Sequence, residues 1–280
     1  MAEPRQSQSA ALDLPTVCAI GMVAYLLANL THEGLGHGGT CWLMGGRPLG
    51  ISSAWFDGDT TGVSAWGVRA EKAGGTLANL LLGLGFAAWL RAMRRPTGQL
   101  YYFVWLAMTV NLLQAGGYLM VSPLAGFGDW KEFIRGLAQP LLWRLGLTAL
   151  GLVISAAALR FAVGTLEPLL GNRWEDRRQR SRWLCWLPYG FAGGLVFSIA
   201  ALFNPGGKVF LLTSAAAHLG GTAWLAWLPA WIRPSQSAVP NTPLAIGRQN
   251  GWIAAGLAAV IICIFVLGPA VYLPGARPAE

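Results

Sequence analysis

Apolar residues run along this chain in long blocks separated by short polar connections. Seven of those blocks reach the roughly 20 residues needed to cross a hydrocarbon core. They cover residues 14–44, 72–90, 100–122, 141–163, 183–203, 209–231 and 251–273. The pattern predicts an all-α fold, a polytopic transmembrane helical bundle of about seven spans. Residues 45–71 break the pattern, with Gly46, Arg47-Pro48 and Asp57-Gly58-Asp59 around a mixed polar and apolar run, and predict a short hairpin or re-entrant loop. Backbone of that kind lies near a membrane only where protein or a water-filled cavity satisfies its hydrogen bonds.

The polar punctuation divides the chain. Residues 1–13 form a polar tail expected to fray, 14–135 a three-span core that includes the 45–71 loop, and 136–280 an accessory four-span bundle. The stretch 164–182 separates the two modules, and no internal repeat is visible.

Composition strengthens the membrane reading. Apolar residues make up 54% of the 280 and charged residues only 11%, more apolar surface than a soluble core of this size can bury. Thirty-seven glycines fit helices that approach closely in lipid, and 14 tryptophans, among them Trp42, Trp130, Trp143, Trp183, Trp231 and Trp252, fit an interfacial belt. The net charge of +8 does not argue for nucleic acid, because the basic residues sit between spans. Arg91, Arg94 and Arg95 follow the second span, and Arg173, Arg177, Arg178, Arg180 and Arg182 follow the fourth. By the positive-inside rule both connections face the cytoplasm, which puts the 45–71 loop and the region of Asp129 on the outer side. The first apolar block lacks a small-residue cleavage site and reads as a retained span. Cys18, Cys41, Cys185 and Cys263 show no CxxC spacing and predict neither a disulfide framework nor a thiolate metal site.

Chemistry concentrates in Thr31-His32-Glu33-Gly34-Leu35-Gly36-His37-Gly38, at the end of the first apolar block. Imidazole and carboxylate groups are costly in a span unless they have a partner or a function. Neutral imidazole and carboxylate are zinc ligands, and a helix presenting two histidines on one face with a glutamate beside them supplies ligands and a general base. A regular HExxH places its histidines about 40° apart around a helix, whereas the five-residue spacing here puts them about 140° apart. One wide turn with i to i+5 bonding restores the alignment, and Gly34 and Gly36 lower the cost of winding it. The best third ligand is Asp129, just past the third span, whose end faces the same side as the end of the first. Asp129 has a second reading, since Gly128-Asp129-Trp130-Lys131-Glu132 also matches a helix-capping box.

These residues resemble the site-2-protease family of intramembrane zinc metalloproteases, over roughly residues 20–135. The resemblance implies that His32, His37 and Asp129 hold one zinc per chain and that Glu33 is the general base. Ala73-Gly74-Gly75-Thr76-Leu77-Ala78-Asn79-Leu80-Leu81-Leu82-Gly83 is similar to the family's glycine-rich, asparagine-bearing second core helix. It further implies a transmembrane protein substrate, with Asn79 or Asn111 holding the substrate strand or the oxyanion. The pattern departs from the family in the extra residue between the histidines and in the Phe-Gly that precedes Asp129 in place of Pro-Leu.

Two rival readings use the same residues. A seven-span zinc-dependent lipid hydrolase would draw His218 into the metal site, whereas an inactive helix-binding or transport protein would use the His-Glu cluster only as polar lining. The short compact chain suggests a bacterial cytoplasmic membrane.

Overall fold

A computed structural model describes residues 11–206, 219–236 and 242–276. Among them six helices are long and apolar enough to cross a membrane, which marks the chain as an integral membrane protein. The first runs over Leu14–Leu43. It comprises α1 (Leu14–Leu30), a π-wound segment (Thr31–Gly38) and α2 (Gly39–Leu43). Asp13 caps it, its carboxylate accepting from Thr16 N at 2.9 Å and from the Thr16 hydroxyl at 2.6 Å. The expected fraying does not extend to residues 11–13, because Asp13 N donates to Ile246 O at 2.7 Å and Ile246 N to Ala11 O at 2.9 Å.

A hairpin follows, β1 (Arg47–Ile51) antiparallel to β2 (Phe56–Asp59), where the mixed 45–71 pattern places it. Ser52 closes its turn, the hydroxyl accepting from Ala54 N and Trp55 N. A third strand, β3 (Val271–Tyr272), comes from beyond the last span and pairs with β1, giving the order β2-β1-β3.

Helix α3 (Ala65–Ala92) starts at a Ser64 cap, and α4 (Gly98–Ala125) starts at a Thr97 cap. α4 is the axis of the bundle. Trp105, Tyr102, Met108 and Leu113 on it have no exposed surface, and α1, α3 and α6 (Pro140–Thr165) pack around it. The left-handed Gly126 ends α4, and the short α5 (Gly128–Ile134) turns back toward α3. α6 buries only 28% of its most apolar window, and its Leu141, Leu142, Leu145 and Val153 face outward, as lipid contact requires.

The fifth span, Trp174–Leu202, joins α7 (Trp174–Leu187), a π segment (Pro188–Val196) and α8 (Phe197–Leu202). It begins about two turns before the apolar block at 183. Arg177 and Arg180 therefore lie within a helix, both buried. Arg177 donates to Gly171 O at 2.6 Å, Arg233 O at 3.1 Å and the Glu167 carboxylate at 2.7 Å, while Arg180 donates to Leu169 O and Leu244 O. Two arginines that the charge pattern assigns to a solvated loop thus serve as carbonyl clamps, a role suited to the guanidinium fork.

Of the predicted span 209–231, residues 209–218 lie outside the described residues. The rest includes the short α9 (Ala223–Trp227) and a 3-10 turn over Leu228–Trp231. α10 (Asn250–Ile261) and its π extension (Ile262–Leu267) form the last span. Trp42, Trp143, Trp183 and Trp231 are exposed, as a belt requires, but Trp130 is buried and joins the core instead.

Helices α4 and α6 cross at glycines. A Cβ built on Gly151 would sit 2.5 Å from both Gly116 O and Met120 N. Gly151→Leu is expected to lower stability by about 1–3 kcal/mol through overpacking, whereas Gly146→Ala, with nothing within 4 Å, is neutral. Thermal unfolding of the detergent-solubilised protein checks this, and equal midpoints for the two variants would contradict the crossing.

Candidate metal centre

The histidine spacing and the backbone agree. Residues Thr31–Gly38 are wound as a π-helix, so the two imidazoles share one face, with centroids 4.9 Å apart and planes at 76°. Close approach of α3 fixes this segment. A Cβ on Gly36 would lie 2.7 Å from Gly74 O and Gly75 N, and a Cβ on Gly74 would lie 2.6 Å from the Thr40 hydroxyl. One on Gly75 would meet Nε2 of His32 and of His37, each at 2.6 Å. The Gly74-Gly75 pair therefore lets α3 pass directly against both rings.

Hydrogen bonds set the tautomers. His32 Nδ1 lies 2.7 Å from Asn79 Oδ1, an acceptor, so Nδ1 carries the proton. The Asn79 amide is held in that orientation because its nitrogen donates to Ala28 O at 3.0 Å and to Asn111 Oδ1 at 2.8 Å. Asn111 in turn donates to Ala107 O at 2.8 Å. His37 Nδ1 lies 2.8 Å from the carbonyl of Glu71 and must likewise donate. Both Nε2 lone pairs are left facing one point. Outer partners that fix the far nitrogen in this way are the usual support of histidine metal ligands.

Asp129 is at that point. Its Oδ2 lies 3.2 Å from His37 Nε2 and 3.6 Å from His32 Nε2, and the three ligand atoms all fall within 4.8 Å of one another. Tetrahedral bonds of about 2.0–2.1 Å to zinc place ligand atoms about 3.3–3.4 Å apart.

The capping alternative for Asp129 is not realised. Phe127 occupies the cap of α5 without a side-chain bond, and Glu132 pairs with Arg135 at 2.8 Å instead of reaching back. α5 is positioned from outside. Trp130 Nε1 donates to the Thr76 hydroxyl at 3.0 Å, and Arg69 on α3 donates to Phe133 O at 3.1 Å and Arg135 O at 2.9 Å. Ser122 grips Phe127 O at 2.6 Å, and Asp129 N donates to the Tyr118 hydroxyl at 3.2 Å.

His32, His37 and Asp129 line a cavity of about 390 Å³. Glu33, the expected base, also lines it and is only 7% exposed. Trp55 and Phe56 of the hairpin close one side, Phe56 stacking on His37 at 6.3 Å and 17°. Asn79 and Asn111, expected at substrate or oxyanion, do not line the cavity. They are fully buried behind His32, their amides already engaged, which makes them orienting groups for that ligand. His218 lies outside the described residues. The sequence reading missed Tyr118, Arg69 and Glu71, the last beside Lys72 with an ion contact of 2.9 Å at the cavity wall.

Asn79→Ala is expected to weaken metal binding about 10- to 100-fold, the usual loss for an outer partner of a ligand. Gly75→Ala, which drives a methyl into both Nε2 atoms, should abolish it. Chelator-competition titrations check both, and unchanged affinity in either would contradict the arrangement. Compared with protein-family models, curated proteins and solved structures, the chain matches none.

Proposed function

We propose that this chain is an intramembrane zinc metallopeptidase that hydrolyses peptide bonds in or near the transmembrane segments of other proteins. The observation that carries this reading is the convergence of two oriented imidazoles and one carboxylate on a point beside Glu33, within a single cavity of a membrane bundle. Two neutral histidines and a carboxylate are the donor set of catalytic zinc, which takes three protein ligands and keeps a fourth position open. Cysteine is absent from the cluster, so a closed structural site of the thiolate type does not fit.

Zinc bound there supplies Lewis-acid chemistry, polarising a carbonyl and activating water. Glu33 takes the proton from the attacking water and delivers it to the leaving nitrogen when the C–N bond breaks. His32 and His37 hold their metal-facing lone pairs through the Asn79 and Glu71 contacts, and Asp129 supplies the negative charge that offsets part of the metal's. The hairpin residues Trp55 and Phe56 shield the site and narrow the approach to it. A scissile bond must be unwound from helix before it fits beside Glu33, because helical carbonyls are turned into their own hydrogen bonds. A bacterial cytoplasmic membrane is the proposed location.

Metal analysis by mass spectrometry of detergent-purified protein, paired with cleavage of a transmembrane peptide, tests the reading. Wild type is expected to carry zinc, and His32→Ala, His37→Ala and Asp129→Ala to lose it. Glu33→Gln should keep the metal while cleavage falls about 10²- to 10⁴-fold, the usual contribution of a general base. Wild-type cleavage by Glu33→Gln, or a folded wild type that takes up no zinc, would sink the proposal.

A further inference from the structure

Tyr118 lies on α4, outside both the ligand set and the chain of asparagines behind it, yet its hydroxyl reaches the site. Its oxygen accepts the Asp129 N–H at 3.2 Å, its ring meets His32 edge-on with centroids 5.6 Å apart, and it lines the cavity. A phenol has one proton to give in addition to the lone pairs that accept. With the Asp129 N–H arriving at the oxygen, the phenol proton turns away from the backbone, and the Asp129 carboxylate is the acceptor it meets in the unliganded protein. Gly128 keeps the place clear, since a Cβ there would collide with the Tyr118 hydroxyl and its φ is +68°.

Resting on the peptidase reading above, we propose that Tyr118 is a catalytic residue that donates a hydrogen bond to the oxygen of the scissile carbonyl as negative charge builds on it. In the reaction the water oxygen bonds to the carbonyl carbon and the π pair moves onto the carbonyl oxygen, while Glu33 holds the proton released. When the C–N bond breaks the pair returns, and Glu33 gives its proton to nitrogen. Tyr118 keeps its own proton throughout, so its contribution is charge stabilisation alone. Only 7% of Tyr118 is exposed, and a donor in such a water-poor setting is worth far more than in solution. Lys72 at the wall is less suited, being held by Glu71 at 2.9 Å, and Asn79 and Asn111 lie behind His32, outside the cavity. The competing role is structural, with the hydroxyl only bracing Asp129.

Tyr118→Phe keeps the ring and removes the donor. The variant and wild type are compared as full chains in detergent for zinc content, for kcat and KM on a transmembrane peptide, and for acetohydroxamate binding to the cobalt-substituted form followed by its visible spectrum. The proposal expects zinc retained, KM little changed, kcat lower by about 10²- to 10³-fold, and acetohydroxamate bound about tenfold more weakly. Loss of zinc in Tyr118→Phe would overturn the proposal in favour of the brace. Unchanged kcat together with unchanged hydroxamate affinity would overturn it outright. Weaker hydroxamate binding by Tyr118→Phe, in a protein that holds zinc but cuts no peptide, would support the Tyr118 assignment while removing the peptidase reading.

Discussion

Five residues from His32 to His37 cannot bring two imidazoles to one ion on a regular helix, so the site depends on the backbone between them being wound wide. Such a turn gives up normal helical bonding, and in a bilayer nothing but the protein can compensate. Here the compensation is contact. Gly36 meets Gly74 and Gly75 with no room for a side chain, so α3 braces the widened turn and at the same time presents Asn79 to His32. The glycine pair and the π turn are two halves of one constraint.

The same economy explains the concentration of polar groups. His32, His37, Asn79, Asn111 and Glu71 are buried in a bundle whose exterior is lipid, where an unsatisfied polar group costs several kcal/mol, of the order seen on transfer to hydrocarbon. Asn111, Asn79 and His32 are joined into one chain that starts at Ala107 O, while His37 is held separately by the Glu71 carbonyl. A network satisfied at every member is rigid, and rigidity is what metal ligands need. α5 is held in the same manner, clamped by Arg69 and by the Trp130–Thr76 bond, which fixes the place of Asp129 beside the two histidines.

Much of this was legible in the residues. Long apolar blocks marked the spans, because lipid imposes a length that few other contexts require. The spacing of His32 and His37 demanded a wide turn if both were to reach one ion, and the shared side of the first and third spans agreed with Asp129 as their partner, although its neighbours also matched a capping box. What was not legible depends on tertiary approach. Asn79 and Asn111 have the same composition whether they face a cavity or the back of a ligand, and only the packing of α3 against α4 decides. Arg177 and Arg180 read as loop charges because the start of α7 lies in a polar stretch that carries no apolar signal. Tyr118 is an ordinary aromatic on an apolar helix until α5 folds back and brings Asp129 to its hydroxyl. The third strand, only two residues long, has no periodicity to betray it.

The most direct test of the central claim, that the wide turn gathers His32, His37 and Asp129 around one ion, is zinc K-edge X-ray absorption on the purified, zinc-loaded protein. The account predicts a first shell of nitrogen and oxygen only, at about 2.0–2.1 Å, with the multiple-scattering signature of two imidazoles. A shell containing sulfur at about 2.3 Å, or one showing a single imidazole, would contradict it.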